Sequence, residues 1–250
     1  MKHGDFTNLA ANYAKYRPGY APLVLEAIGG LLPEAARAAD VGAGTGLWSR
    51  MLHKAGMRVT AVEPNEAMRR QGQELLPHLT WADGSAEATG LDSGLYDLVT
   101  MASSFHWPDF NSAVKEFERL LKPGAYFAAL WNTRDITGDP LLEDIEAKIY
   151  ELTPGMKRVS SGRSEFCDGL TSRLESSGVF SDVLYLEGHH VELQTPEHYL
   201  GLWESVNDIR VQAGEDNFAV FLNYVREKTN GLPHIAARYK TRCWLARKGG

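Results

Sequence analysis

Cysteine is scarce in this chain. Cys167 and Cys243 are the only two in 250 residues, with no C-x-x-C and no ligand spacing, so neither a disulfide framework nor a zinc site is expected. Long apolar runs are missing too. No window approaches the roughly 20 residues that a bilayer-spanning helix needs. The opening Met1-Lys2-His3-Gly4-Asp5-Phe6 lacks the apolar stretch of a secretory leader. A reduced, cytoplasmic setting with no membrane partner is the expectation. A basic excess is absent as well. The net charge of −6 argues against a nucleic-acid backbone or an anionic lipid surface as the main partner. Internal repeats and low-complexity tracts are lacking. What remains is ordinary, 44% hydrophobic and 23% charged, and long enough to bury a sizeable core as one α/β domain with a modest appendage.

The organising stretch is Ala38-Ala39-Asp40-Val41-Gly42-Ala43-Gly44-Thr45-Gly46-Leu47. A short apolar run ends in three glycines at alternate positions, and helical periodicity through Leu47, Met51, Leu52 and Ala55 follows at once. Glycine permits a tight turn and a close approach of ligand to main chain. The helix opening there presents free N–H groups and the positive end of its dipole. A dinucleotide fingerprint would need glycine at 47, where Leu47 stands, and this disfavours a nicotinamide oxidoreductase. A second strand, Val59-Thr60-Ala61-Val62-Glu63-Pro64-Asn65, ends in an acid. Glu63 lies 17 residues past Gly46, near the roughly 20-residue interval at which a carboxylate meets ribose hydroxyls.

This order, G-x-G-x-G with Asp40 before it and Glu63 after it, resembles motif I of the class I S-adenosylmethionine-dependent methyltransferases. The resemblance implies an α/β fold: a Rossmann-like, doubly wound, seven-stranded sheet whose last strand is antiparallel, with helical cap insertions. It implies S-adenosyl-L-methionine as cofactor and S-adenosyl-L-homocysteine as product. Asp40, Gly42, Ala43, Gly44, Gly46, Glu63, Pro64 and Met68 are the expected cofactor residues in this part. Ahead of them, Tyr13-Ala14-Lys15-Tyr16-Arg17-Pro18-Gly19-Tyr20 is similar to the Tyr-x-x-Tyr-Arg-Pro entry of a subgroup that includes trans-aconitate methyltransferase-like enzymes. There the N-terminal segment lies over the cofactor, which implies such a place for Tyr13, Tyr16 and Arg17. Rings beside a sulfonium fit physically, since a cation is attracted to a ring face. In Asp83-Gly84-Ser85-Ala86-Glu87, the matches to the family's adenine-holding stretch are Asp83, Ser85 and Ala86.

Tyr96 to Ala102 reads as a buried central strand. Ser103-Ser104-Phe105-His106-Trp107-Pro108-Asp109 follows it, where open α/β sheets bind ligands. Ser103 and Ser104 are expected at the cofactor, and His106 and Trp107 at the transferable methyl. The stretch resembles the His-Trp-x-Asp of the same subgroup and departs from the Asn/Asp-Pro-Pro-Tyr of amino-methylating DNA and glutamine enzymes. His106 is read either as a general base, its ordinary pKa of about 6.5 suiting that work, or as a residue that shapes the loop. Lys122-Pro123-Gly124 reads as a turn into a fifth strand, Ala125 to Trp131. Trp131, Arg134 and Trp203 are the expected acceptor contacts.

The second half carries fewer signals. The stretches 136–170 and 195–232 read as helical insertions capping the strand ends of a single domain, 1–250. One helix is expected to carry Tyr199, Leu200, Trp203, Val206 and Ile209 inward. Tyr239 to Ala246 is expected to close the sheet as an antiparallel edge strand. His189 and His190 point to opposite strand faces and make no metal pair. Lys157, Arg158 and Arg163 read as a solvated loop or a contact for an acidic substrate. The reading is a small-molecule methyltransferase, O- or N-directed, that is a monomer or homodimer and has no nucleic-acid partner. A catalytically silent cofactor binder is the alternative.

Overall fold

The structure, a computed structural model, describes residues 10–157, 162 and 164–249; Arg158 and Arg163 lie outside the described residues. In chain order the elements are α1 (Ala10–Tyr16), α2 (Pro22–Gly29), β1 (Arg37–Val41), α3 (Leu47–Lys54), β2 (Arg58–Val62), α4 (Glu66–Leu75), β3 (Thr80–Ala82), β4 (Tyr96–Ala102), α5 (Phe110–Leu120) and β5 (Leu121–Arg134). Then come α6 (Pro140–Leu152), α7 (Glu165–Asp168), α8 (Leu170–Glu175), β6 (Phe180–Gln194), α9 (Pro196–Glu204), α10 (Asn207–Thr229) and β7 (Ile235–Lys248). Side-chain caps start several helices: Asn65 accepts from Met68 N, Asp109 from Ser112 N, and Asp139 from Leu141 N and Leu142 N just before Pro140.

The sheet order is β3-β2-β1-β4-β5-β7-β6. The pairs among β3, β2, β1, β4 and β5 are parallel, whereas β7 is antiparallel to both β5 and β6. The strand order reverses between β1 and β4, which opens a crevice above their carboxyl ends. Alternate residues of the central strands feed two cores. Val99, Phe127 and Trp131 face Phe105 and Phe117 on one side, and Leu98, Ala128 and Leu130 face Ile28, Trp48 and Leu52 on the other. A third core joins α6, α9 and α10 to the start of β7, through Ile145, Ile149, Trp203, Phe221 and Tyr239.

Three expectations need correction. The last strand is antiparallel but not at the edge: β7 inserts between β5 and β6, and β6 is the edge. Lys122-Pro123-Gly124 belongs to β5, where the ladder slips between Tyr96 and Leu98 and Gly124 takes φ +73°. The helix expected through Ile209 stops at Glu204, because Ser205 and Val206 turn the chain before α10 begins; Gly214 then breaks α10 with φ 75° and ψ 165°.

Candidate active site

The glycine turn sits at the crevice. Gly42 and Ala43 both donate their N–H groups to the Val62 carbonyl, at 2.9 and 3.0 Å, which pulls the turn onto the end of β2. All three glycines have positive φ, at 67°, 59° and 86°, a region that favours glycine. Their surroundings differ. A Cβ on Gly42 would stand 2.8 Å from Ser104 Oγ, and one on Gly46 would stand 2.6 Å from Leu76 Cδ1. Gly46 therefore serves packing under α4 and does not line the cavity. A Cβ on Gly44 would stand 3.3 Å from Met68 Cε, and both residues line a cavity of about 390 Å³. That cradle is the space a side chain would fill.

Glu63 closes one end of this cavity. It is buried, its Oε2 accepts the Gly44 N–H at 2.8 Å and its Oε1 accepts the Asn65 N–H at 2.8 Å. Each carboxylate oxygen keeps acceptor capacity beyond these bonds. Burial raises its pKa. Pro64, Ser85, Ala86, Ser103 and Ser104 line the same cavity, as does Tyr13 from α1. Ser103 is held at φ 57° by its N–H on the Leu130 carbonyl and by Tyr20, whose hydroxyl lies 2.9 Å from Ser103 Oγ. The 83–90 loop is pinned from behind. Glu116 of α5 accepts from Thr89 N and Oγ1, and Arg119 donates to both of its oxygens. Those hydrogen bonds and the Arg119 charge outweigh burial and hold the Glu116 carboxyl down at about 2.

A second cavity of about 800 Å³ adjoins the first, with Trp107 lining both. His106, Arg17 and Arg134 line it, together with Asn132, Thr133, Phe166 and Tyr239. His106 Nδ1 accepts from Trp131 Nε1–H at 3.3 Å. Burial pushes its pKa down to about 4, against a smaller opposing pull from Asp208. The ring is neutral at neutral pH, and with Nδ1 accepting, its proton sits on Nε2. Arg134 lies 3.5 Å from the centre of the Trp203 ring.

Seven of the expected site residues line neither cavity. Asp40 is fully buried behind the turn, accepting from Ser49 Oγ and Thr100 Oγ1. Ala43 bonds the end of β2. Gly46 is packed under α4. Asp83 pairs with Arg69 at 3.1 Å. Tyr16 packs its ring where a Cβ on Gly201 would fall. Trp131 and Trp203 stand one layer back, behind His106 and Arg134. Asn132 and Thr133 went unassigned although they sit inside the Trp131–Arg134 stretch. Phe166 and Tyr239 come from distant elements with no local signature. His189 is exposed and His190 lies against Tyr239. No group of three or more metal-binding side chains occurs among the described residues.

Residues 39–129 match the family described as a methyltransferase domain. An uncharacterized methyltransferase of Mycobacterium tuberculosis is 40% identical over 132 residues, which is 52% of this chain and 53% of that protein. An uncharacterized methyltransferase of Schizosaccharomyces pombe is 32% identical over 128 residues, 50% of this chain and 51% of that protein. The chain thus matches about half the length of these relatives. Among solved structures, a proposed type II methyltransferase from Anaeromyxobacter dehalogenans has a TM-score of 0.67 at 26% identity, covering 94% of this chain and 97% of that one. Residues 39–129 thus resemble a methyltransferase domain, and in its glycine turn and sheet order the chain is similar to the class I S-adenosylmethionine-dependent methyltransferases.

Proposed function

We propose that the chain transfers the methyl group of S-adenosylmethionine, held in the first cavity, to a small-molecule acceptor held in the second. The observation that carries this reading is Trp107, one side chain after β4 that lines both cavities. When bound, the cofactor supplies an already activated methyl on a sulfonium. The protein's task is then to hold donor and acceptor in a near-attack geometry. Gly42 and Gly44 would admit the cofactor to the main chain, Glu63 would accept from its ribose hydroxyls, and Ser85 and Ala86 would hold its adenine. Tyr13 offers a ring to the cation. The stretches 136–170 and 195–232 would act as the cap. From them Glu146, Tyr150, Leu202 and Val206 line the acceptor cavity.

His106 is the residue whose assignment the geometry sharpens. A neutral imidazole with Nδ1 engaged by Trp131 presents Nε2–H, a donor. It would hydrogen-bond an acceptor atom or shape the loop, and general-base work would require the Trp131 bond to break first. Calorimetric titration with S-adenosylmethionine, S-adenosylhomocysteine and NAD tests the cofactor reading. Saturable binding of the first two and none of NAD is expected. A mass-spectrometric screen for methylated products across carboxylates, phenols and amines then tests the reaction. NAD binding alone would overturn the proposal, and cofactor binding with no product from any acceptor would favour the silent binder.

A further inference from the structure

The second cavity is lined by residues with buried donors that no described residue satisfies. Arg17 gives Nη2–H to the Ser205 carbonyl at 2.9 Å, but its Nε is buried with no acceptor among the described residues. Arg134 stacks on Trp203, and its Nη1 is likewise buried without an acceptor. Thr133 Oγ1 and His106 Nε2 are also buried and have no partner among the described residues. All four residues line this cavity. Guanidinium groups stay protonated and can only donate. Folded proteins rarely leave buried donors unpaired, and a group of them facing one cavity points to acceptors brought in by a ligand. A guanidinium group matches a carboxylate in charge and in planar, bidentate shape, and Glu146 and Glu165 on the same wall offset the charge of the second one.

The remaining wall limits what else the ligand carries. Ile136, Phe166, Leu202 and Val206 give an apolar surface, while Glu146 and Glu165 would repel a second anionic group. Lys157 is exposed at the cavity's edge. Building on the methyl-transfer reading above, we infer that the acceptor is an amphipathic monocarboxylic acid. Its carboxylate is held by Arg17 and Arg134, its apolar body lies on Phe166, Leu202 and Val206, and a further oxygen meets His106 Nε2–H.

The test is calorimetric titration of the protein saturated with S-adenosylhomocysteine. The probes are phenylacetate, decanoate, succinate, inorganic phosphate and, as the uncharged match, phenylacetamide. Phenylacetate or decanoate should bind saturably at one per chain, at least tenfold more tightly than succinate, phosphate or the amide. Arg134→Gln should weaken that binding tenfold or more, with Arg134→Lys recovering part of it. S-adenosylhomocysteine affinity should stay within threefold, because Arg134 does not line the cofactor cavity. If Arg134→Gln fails to bind S-adenosylhomocysteine, Arg134→Lys takes its place and should still bind phenylacetate more weakly than the wild type does. The inference is overturned if neither monocarboxylate binds, if the amide or phosphate binds as well, if succinate binds more tightly, or if the variants bind like the wild type. Those outcomes leave the cofactor titration standing, whereas loss of S-adenosylhomocysteine binding by the wild type would sink the methyl-transfer reading itself.

Discussion

Asp40 and His106 show how burial sets the charge of single groups around this site. Burial pushes the Asp40 carboxyl up to about 6, and the hydrogen bonds from Ser49 and Thr100 offset it only in part. Its unfolded value lies near 3.9, so the native state binds this proton more tightly than the unfolded chain. The contribution to stability is full below about pH 4, declines between pH 4 and 6, and is lost above 6. Asp40→Asn removes the ionised form that burial penalises and keeps polar atoms for Ser49 and Thr100. Its stability relative to the wild type should therefore rise by roughly 2 kcal/mol from pH 4.5 to 7.5, read as a growing gap in melting temperature. S-adenosylhomocysteine affinity should stay nearly unchanged, because Asp40 does not line the cavity. A gap that stays constant across that pH range would refute the assignment. His106 runs the other way. With its pKa near 4, the ring is neutral from pH 5 to 8, and nitrogen NMR of the labelled protein should show the Nε2–H tautomer. In the same window the methylation rate should lack an acidic limb belonging to His106. An imidazole titrating near 6.5, or an Nδ1–H tautomer, would restore the general base.

Elements are where the reading from sequence succeeds and where it stops. The first strand, its glycine turn and the following helix were legible because the signals lie within ten residues and are imposed by local sterics. Glu63 was legible because the second strand must end beside that turn. The place of β7 was not, since insertion between β5 and β6 depends on pairings such as Leu130 with Cys243 and Leu186 with Cys243. The pairing of Trp131 with His106 and of Glu116 with Thr89 was hidden for the same reason, each joining separate elements. The role of α1 was half legible. Its tyrosines pointed toward the cofactor, but Tyr16 packs on α9 while Tyr13 lines the first cavity. Gly201→Ala puts a methyl 2.5 Å from the Tyr16 ring. The variant should displace α1, weakening S-adenosylhomocysteine binding by about three- to tenfold, while alanine's better helix propensity keeps the melting temperature of the free protein within about 2 °C. Unchanged affinity would mean that α1 does not cover the cofactor.

At the scale of the whole molecule, no helix among the described residues is long and apolar enough to cross a membrane, and two cavities meet above the reversal of strand order. A ligand seated in the first would touch the glycine turn, the 63–65 turn, β4, the 83–90 loop and α1 at once, so its binding energy is shared with the global fold. Linkage gives the size: at one hundred times Kd a ligand that binds only the native state adds about 2.7 kcal/mol. A chain of 150–250 residues gains roughly 2–4 °C per kcal/mol. S-adenosylhomocysteine at that level should therefore raise the melting temperature by roughly 5–11 °C, and NAD by none. Gly44→Val should abolish the shift, because its side chain would fill the space beside Met68 and because φ +59° strains a β-branched residue. That strain lowers the melting temperature of the free variant as well, so the comparison to make is the ligand-induced shift within each protein. A normal shift in Gly44→Val, or calorimetric binding at the wild-type affinity, would place the cofactor elsewhere.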